Sequence, residues 1–226
     1  GVNAGNSIAS GGNYNVAVGD EAGTAITTGD DNVAIGYEAG LAITTGSSNV
    51  AIGKEALKNE DGHGKNTAVG TQTLFSQNAG ADAYNTAVGF QTGASISTGI
   101  QNTLIGGLAG DAITTGNSNT AVGESALSAN TTADNNVALG QDAMQSNTTG
   151  AGNTAAGVNS LGANTTGANN VAVGALALDA NTTAASNVAV GSSALTATTT
   201  GALNVGVGSS AMAANTTGTL NASLGY

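Results

Sequence analysis

A short pattern of alternating polar and apolar residues recurs along the chain, and it is clearest as Asn-Val-Ala-Ile-Gly at residues 32–36. Each repeat is numbered here from its asparagine, which is position 0. The spacing of successive asparagines is constant at 17 and lengthens to 19 only between Asn66 and Asn85. This strict period predicts a solenoid, in which each coil buries its apolar residues against neighbouring coils. The asparagines stand at residues 15, 32, 49, 66, 85, 102, 119, 136, 153, 170, 187, 204 and 221.

The alternation after each asparagine predicts a short β-strand. Position 1 is Val, Thr or Ala, position 3 is always apolar, and position 2 is Ala in ten of the thirteen repeats. Side chains of a strand point alternately to its two faces, so positions 1 and 3 share one face and position 2 lies on the other. The nearly constant alanine predicts that another chain or another strand layer packs closely against position 2.

The asparagine at position 0 and the glycine at position 4 are present in all thirteen repeats, and we interpret both as structural. Glycine is required where the backbone needs a positive φ, or where a neighbouring chain passes too close for a Cβ atom. The asparagine amide can donate and accept hydrogen bonds along a ladder of stacked copies.

The second half of the repeat occurs in two styles. In the glycine style, position 8 is Gly and position 11 is Ile; in the leucine style, position 8 is Leu or Met, and position 11 is Asn or Thr in the repeats from Asn119 onward. Each complete repeat therefore has one large side chain at one of these two positions. A close-packed coil has room for only one large side chain in its interior. We therefore predict that the side chains at positions 8 and 11 occupy the same interior space, which we call the slot, and we call the large side chain in it the filler. The glycine-style pairs are Gly23/Ile26, Gly40/Ile43, Gly93/Ile96 and Gly110/Ile113; leucine-style fillers include Leu57, Leu74, Leu127 and Met144.

Thr-Thr-Gly at positions 12 to 14, as in residues 44–46, predicts a second short strand that ends in a turn. We therefore expect an all-β fold, a parallel β-roll or β-solenoid of about twelve 17-residue coils. The array is predicted to run over residues 15–226, after an irregular lead-in at 1–14 that contains a decayed repeat at 6–8. The two additional residues of the long interval are predicted to lie within 75–84.

Composition limits the kinds of partner. Val, Ile, Leu and Phe make up only 41 of 226 residues and the net charge is −11, which without the periodicity would indicate disorder. Cysteine is absent, so the chain has no disulfide framework and no thiolate metal site. No apolar run approaches the ~20 residues of a membrane helix. The acidic balance argues against nucleic acid and anionic membranes as partners.

The sequence offers few residues for catalysis or for binding ions. His63 is the only histidine, and it lies in a broken turn at residues 61–65, so we interpret it as a solvated loop residue. Asp20-Glu21 and Asp30-Asp31 could bind Ca²⁺ loosely, but solvated acidic turns explain them better. No glycine-rich turn is followed by the Lys-Ser/Thr of a phosphate loop. We therefore expect no catalytic residue, no cofactor and no metal site. Glycosylation sequons occur at Asn130, Asn147, Asn164, Asn181, Asn215 and Asn221.

The Asn-x-Ala-Val/Ile-Gly phrase, repeated over residues 15–226, resembles the head repeats of YadA-like trimeric autotransporter adhesins. The resemblance implies a left-handed parallel β-roll in which three chains pack about a common axis. The repeat of that family is shorter, near fourteen or fifteen residues, and its usual phrase lacks the Asn-Thr-Thr-Gly segment. Similar repeats occur in phage tail fibres, so the resemblance speaks for the roll more strongly than for adhesion.

We expect a non-enzymatic extracellular protein, located on a cell surface or in a virion fibre, that forms a rigid rod for attachment or filament assembly. The expected partner is the chain itself, as a homotrimer or an end-to-end filament that covers the terminal strands, besides a host surface or matrix ligand. Alternatives are a phage tail-fibre shaft and an ice-binding solenoid. Against ice binding, adjacent threonines of a strand would point to opposite faces.

Overall fold

A computed structural model describes residues 1–8 and 11–225, and the chain divides into two compact units, residues 1–117 and 118–226. Every regular element in the described residues is a three-residue strand, and none of these residues is helical. The first unit contains six strands and the second contains seven. They are β1 (Val16–Val18), β2 (Val33–Ile35), β3 (Val50–Ile52), β4 (Thr67–Val69), β5 (Thr86–Val88), β6 (Thr103–Ile105), β7 (Thr120–Val122), β8 (Val137–Leu139), β9 (Thr154–Ala156), β10 (Val171–Val173), β11 (Val188–Val190), β12 (Val205–Val207) and β13 (Ala222–Leu224).

Strands that follow one another in sequence are neighbours in space within each unit. Each pair is parallel and matches equal positions, as in Val33 with Val50 and Ile35 with Ile52. The same register holds through β1–β6 in the first unit and through β7–β13 in the second. The predicted all-β parallel solenoid, with one coil for each repeat of the sequence, is therefore confirmed.

The long interval between Asn66 and Asn85 leaves the register intact, because Thr67 of β4 lies opposite Thr86 of β5. The backbone N–H of Asn78 still donates to the next coil, at the Ser97 carbonyl, 2.8 Å away. Further on, the Ala83 carbonyl accepts the N–H of Gln101 at 2.7 Å. The regular bonding between coils is therefore interrupted between residues 78 and 83.

The first eight residues follow the same path as the second half of a coil, although the sequence predicts an irregular lead-in there. The N–H of Gly5 donates to Ala22 in the next coil, and the N–H of Ile8 donates back to Gly5. Gly23 and Ile26 make the equivalent bonds one coil later. The signal in the sequence is the similarity of residues 1–8 to residues 19–26, since both have Gly first, Ala-Gly at the centre and Ile last.

Position 2 of each strand points into the coil, not toward another chain. The alanines at this position are fully buried from Ala34 to Ala189, whereas positions 1 and 3 are partly or fully exposed. Neither expected neighbour of position 2 is therefore correct, because the alanines are buried within their own chain and the described part of each coil has no second strand. Alternation separates the two faces of a strand but does not say which one is interior. The face that carries alanine is the interior one. Only a small side chain fits there, because the large side chain at position 8 or 11 fills most of the interior of the coil.

Both styles of repeat fill one interior slot, as the sequence predicts. A Cβ atom added at Gly40 would lie 2.9 Å from Cδ1 of Ile43, and one at Gly23 would lie 2.9 Å from Cδ1 of Ile26. In the leucine style, Leu57 and Leu127 are themselves fully buried. Position 8 has φ near +55° in both styles, for example +57° at Gly40 and +48° at Leu57. The leucine style therefore holds a side chain in a backbone region that favours glycine.

Leu104 is the one large residue at position 2, and it lies between two glycine-style coils. Added Cβ atoms at Gly93 and Gly110 would lie 2.9 Å and 3.0 Å from its methyl carbons. The two glycines therefore leave the space that the Leu104 side chain occupies.

The glycine at position 4 is required for two reasons at once. Gly36 has φ +133°, and a Cβ atom there would lie 2.5 Å from the carbonyl oxygen of Gly53 in the next coil. Position 4 thus combines a left-handed backbone with close approach of successive coils.

The position-0 asparagines form a buried ladder. The Oδ1 atom of Asn32 accepts the backbone N–H of Asn49 at 3.0 Å, and its Nδ2 donates to the Gly46 carbonyl of the same coil at 2.8 Å. In some coils the amides also bond to each other, as from Asn153 Nδ2 to Asn136 Oδ1 at 3.3 Å. The amide thus satisfies two buried backbone groups that would otherwise lack partners.

The Thr-Thr-Gly segment is not a second strand. In the described residues it forms bends, and each coil contains one strand, so the expectation of two strands per coil is wrong. Successive coils still bond there, since the N–H groups of Thr27 and Gly29 both donate to the Thr44 carbonyl. Two β-branched residues in a row favour a strand, but the threonine hydroxyls also bond to the backbone, which favours a turn.

Candidate functional site

The outward side chains of the strands, at positions 1 and 3, form an apolar face on each unit. The face consists of Val, Thr, Ile, Leu and Ala only, in two parallel columns. Several of its side chains are well exposed, including Ile105 at 41% and Val205 at 41%. These stacked side chains, mostly β-branched, give a regular surface with few polar groups.

The apolar face has no charged residue in any coil, although the chain has 14 acidic residues and 3 lysines. The charges lie in the turns, mainly at positions 5, 6, 9, 15 and 16, as with Glu38, Asp111 and Asp134. Aromatic side chains are also absent from the face, and Tyr37 and Phe90 lie at position 5. The net charge of −11 is therefore kept away from these two columns.

Both threonines at positions 12 and 13 lie on the outside of the coil, and we call these two rows the threonine columns. Position 12 is half-buried and position 13 is exposed, as with Thr148 and Thr149. The hydroxyl of Thr148 donates to the Thr165 carbonyl in the next coil at 3.0 Å. The expectation that adjacent threonines point to opposite faces is therefore wrong, because the segment is bent and not extended.

Four asparagines of the predicted sequons belong to a second interior ladder at position 11. Asn130, Asn147, Asn164 and Asn181 are fully buried. Their amides bond along the stack, as from Asn164 Nδ2 to Asn147 Oδ1 at 2.8 Å. A glycan on these side chains is incompatible with the folded coil.

All three lysines and the only histidine of the sequence lie within residues 54–65, which we call the charged segment. Lys58 bonds Glu38 of the previous coil at 2.5 Å and Glu55 at 3.3 Å. The hydrogen bond from Lys58 lowers the pKa of Glu38, and the same bond raises the pKa of Lys58. Lys58 also lies 5.6 Å from the centre of the Phe75 ring.

Lys65, at the end of the Asn49 coil, bonds to Asp82 and Tyr84 in the long Asn66 coil. Its Nζ atom lies 2.7 Å from Asp82 and donates to the Tyr84 hydroxyl at 3.0 Å. The hydrogen bond from Lys65 lowers the pKa of Asp82, and the backbone N–H of Gly64 acts in the same direction. The charged segment and the 19-residue Asn66 coil both depart from the regular repeat, and Lys65 thus connects them.

Glu60 occupies position 11 in the Asn49 coil, where other leucine-style coils have neutral polar residues. Its side chain is fully buried, and neither carboxylate oxygen accepts a hydrogen bond of ordinary geometry. Burial raises the pKa of Glu60 to about 6, and the backbone N–H groups of His63 and Ala79 oppose the shift only in part. A buried carboxylate that is compensated so weakly is costly.

His63 lies beside Glu60, with its Nδ1 atom 4.0 Å from Oε1 of Glu60 and also without a partner. Together with exposed Asp61, these residues place three ligand atoms within 4.8 Å of one another. Among the described residues, no other group of three His, Cys, Asp or Glu side chains is as close. Asp20-Glu21 and Asp30-Asp31 are therefore not part of such a group. Sequence reasoning treated His63 as a loop residue and overlooked Glu60, although a carboxylate at position 11 is the signal.

The described part of the chain contains no helix that is long and apolar enough to cross a membrane. Comparisons with protein-family models, curated proteins and solved structures give no match.

Proposed function

We propose that this chain is a non-enzymatic extracellular repeat protein of a fibre or adhesin head, and that its apolar face packs against other copies of the same chain. The observation that carries the proposal is the charge-free apolar face of each unit. An exposed apolar surface of this regularity, bordered by charged and polar turns, is typical of protein–protein interfaces.

A second copy is the partner that fits the face best. Both surfaces then lack charge and repeat with the same spacing between coils, so columns of Val, Ile and Thr can pack over several coils. The acidic turns lie outside the contact, which limits repulsion between two chains of net charge −11. The resemblance of the Asn-x-Ala-Val/Ile-Gly phrase to YadA-like heads favours three copies about a common axis, and cyclic symmetry closes such an assembly.

The solution mass tests self-association directly. Sedimentation equilibrium of the whole chain should give three times 21.3 kDa, about 64 kDa, over a range of protein concentrations. A mass that grows without limit would favour an end-to-end filament over the trimer. A mass of 21.3 kDa at every concentration would contradict self-association.

The threonine columns support a second candidate, an ice-binding surface. Ten coils have a threonine exposed at position 13, and nine of these have a second threonine beside it at position 12. A regular array of exposed hydroxyls and methyl groups suits binding to an ordered lattice of water. Inhibition of ice recrystallisation at micromolar protein would support this candidate, and its loss in Thr132→Lys, Thr149→Lys and Thr166→Lys together would locate the surface.

A further inference from the structure

Buried polar atoms without partners are concentrated in one place. Of the seven such side-chain atoms in the described residues, three could coordinate a cation and lie on one short segment, namely both carboxylate oxygens of Glu60 and Nδ1 of His63. The concentration of these three atoms points to a ligand that the protein groups themselves do not supply.

We propose that Glu60, Asp61 and His63 form a binding site for one divalent transition-metal ion, of which Zn²⁺ is the best fit. An imidazole nitrogen with two carboxylates is a donor set that suits Zn²⁺ and similar ions, whereas Ca²⁺ and Mg²⁺ prefer oxygen ligands alone. The cation would compensate the buried carboxylate of Glu60, which no lysine reaches.

The distances allow this coordination after a small adjustment. Bonds from Zn²⁺ to nitrogen and oxygen are about 2.0–2.2 Å, which places tetrahedral ligand atoms about 3.4 Å apart. The Nδ1 atom of His63 and Oε1 of Glu60 are 4.0 Å apart, so they need to approach by about half an ångström. Asp61 is exposed, and the site therefore opens to solvent on its side.

The backbone that positions the histidine is held in place. The carbonyl of His63 accepts Nδ2 of Asn49 at 3.1 Å, as part of the interior asparagine ladder. The Asp61 carbonyl accepts both the N–H and the hydroxyl of Thr44. Residue 63 is therefore fixed within its own coil and residue 61 is fixed to the previous coil, which pre-orders their side chains around Glu60.

The same positions in other coils supply variants that keep the fold. Position 11 is Gln77 in the next coil, position 12 is Thr in most coils, and position 14 is Ala133 or Ala184 elsewhere. Glu60→Gln, Asp61→Thr and His63→Ala therefore install residues that this solenoid already uses. Glu124→Gln is a matched control, since it removes a carboxylate from an exposed turn of the second unit.

Isothermal titration of the full chain with zinc chloride, after treatment with EDTA, tests the site. We expect one saturable Zn²⁺ per chain, at least tenfold weaker binding in Glu60→Gln and in His63→Ala, and unchanged binding in Glu124→Gln. Titration with Co²⁺ should give visible absorption bands that the first two variants lose. Absence of saturable binding, or affinity that neither Glu60→Gln nor His63→Ala changes, would overturn the proposal. Circular dichroism of each variant distinguishes lost binding from lost folding.

Discussion

At the scale of single residues, one buried filler and one alanine set the width of each coil. The filler is Ile43 at position 11 in a glycine-style coil and Leu57 at position 8 in a leucine-style coil. Position 2 adds only a methyl group, as at Ala34. A chain with few large apolar residues therefore builds a continuous but thin interior.

Gly40→Leu tests the shared slot, because the new side chain would meet Cδ1 of Ile43. We expect the single change to lower the free energy of unfolding by about 1–3 kcal/mol. The double change Gly40→Leu with Ile43→Asn should recover most of this loss, since the introduced asparagine could donate to Gly46 as Asn147 does to Gly150. Urea denaturation measures both, and strictly additive losses would show that the two positions are independent.

The space beside position 2 gives a matched pair of substitutions. Ala34 lies between Gly23 and Gly40, as Leu104 lies between Gly93 and Gly110, whereas Ala138 lies between Leu127 and Met144. We expect Ala138→Leu to lower the free energy of unfolding by about 1–3 kcal/mol, and Ala34→Leu to cost clearly less. Equal losses in thermal denaturation would show that glycine at position 8 does not create the space for Leu104.

At the scale of the element, each coil depends on its asparagine ladder as much as on its strand. A three-residue strand provides few backbone hydrogen bonds, and the turns between strands leave buried N–H and carbonyl groups that need partners. Asn153 supplies two, because its Oδ1 accepts the N–H of Asn170 and its Nδ2 donates to the Gly167 carbonyl. The invariance of position 0 follows from these bonds.

Asn153→Ala should therefore be much more damaging than a surface change in the same region. It leaves two buried backbone groups without partners, at about 1–3 kcal/mol each, so we expect a loss of about 2–6 kcal/mol in the free energy of unfolding. Thr149→Ala, on the exposed threonine column, should change it by less than about 0.5 kcal/mol. Comparable effects of the two substitutions would contradict the ladder as a main source of stability.

The sequence predicts the first strand of each coil and the repeat of the coils, but not the bend at Thr-Thr-Gly or which face of the strand is interior. The constant period and the glycine at position 4 are sufficient to predict parallel coils, and the exchange between positions 8 and 11 is sufficient to predict the common slot. Alternation at positions 1 to 3 is symmetric, so it could not show that alanine faces inward. Glu60 was overlooked because the effect of a carboxylate depends on its burial, and the broken turn around His63 resembles a solvated loop.

At the scale of the whole molecule, charge and apolar surface are separated. The apolar face of each unit has no ionisable group, whereas the turns provide the charge of −11. The charged segment departs from this rule by placing a carboxylate, Glu60, in the interior. The apolar face and the charged segment are therefore two separate features of the solenoid, and each carries its own proposal.

The central claim is that the apolar face is the contact between copies, and two double variants of the same coils test it. Val137→Lys with Val171→Lys places charges on the apolar face, whereas Thr149→Lys with Thr183→Lys places them on the threonine columns. Sedimentation equilibrium should show that the first pair reduces the mass to 21.3 kDa with its circular dichroism unchanged, while the second pair keeps the mass of the unmodified assembly. An assembly that survives lysines at 137 and 171, or that the threonine variants dissociate, would contradict the account.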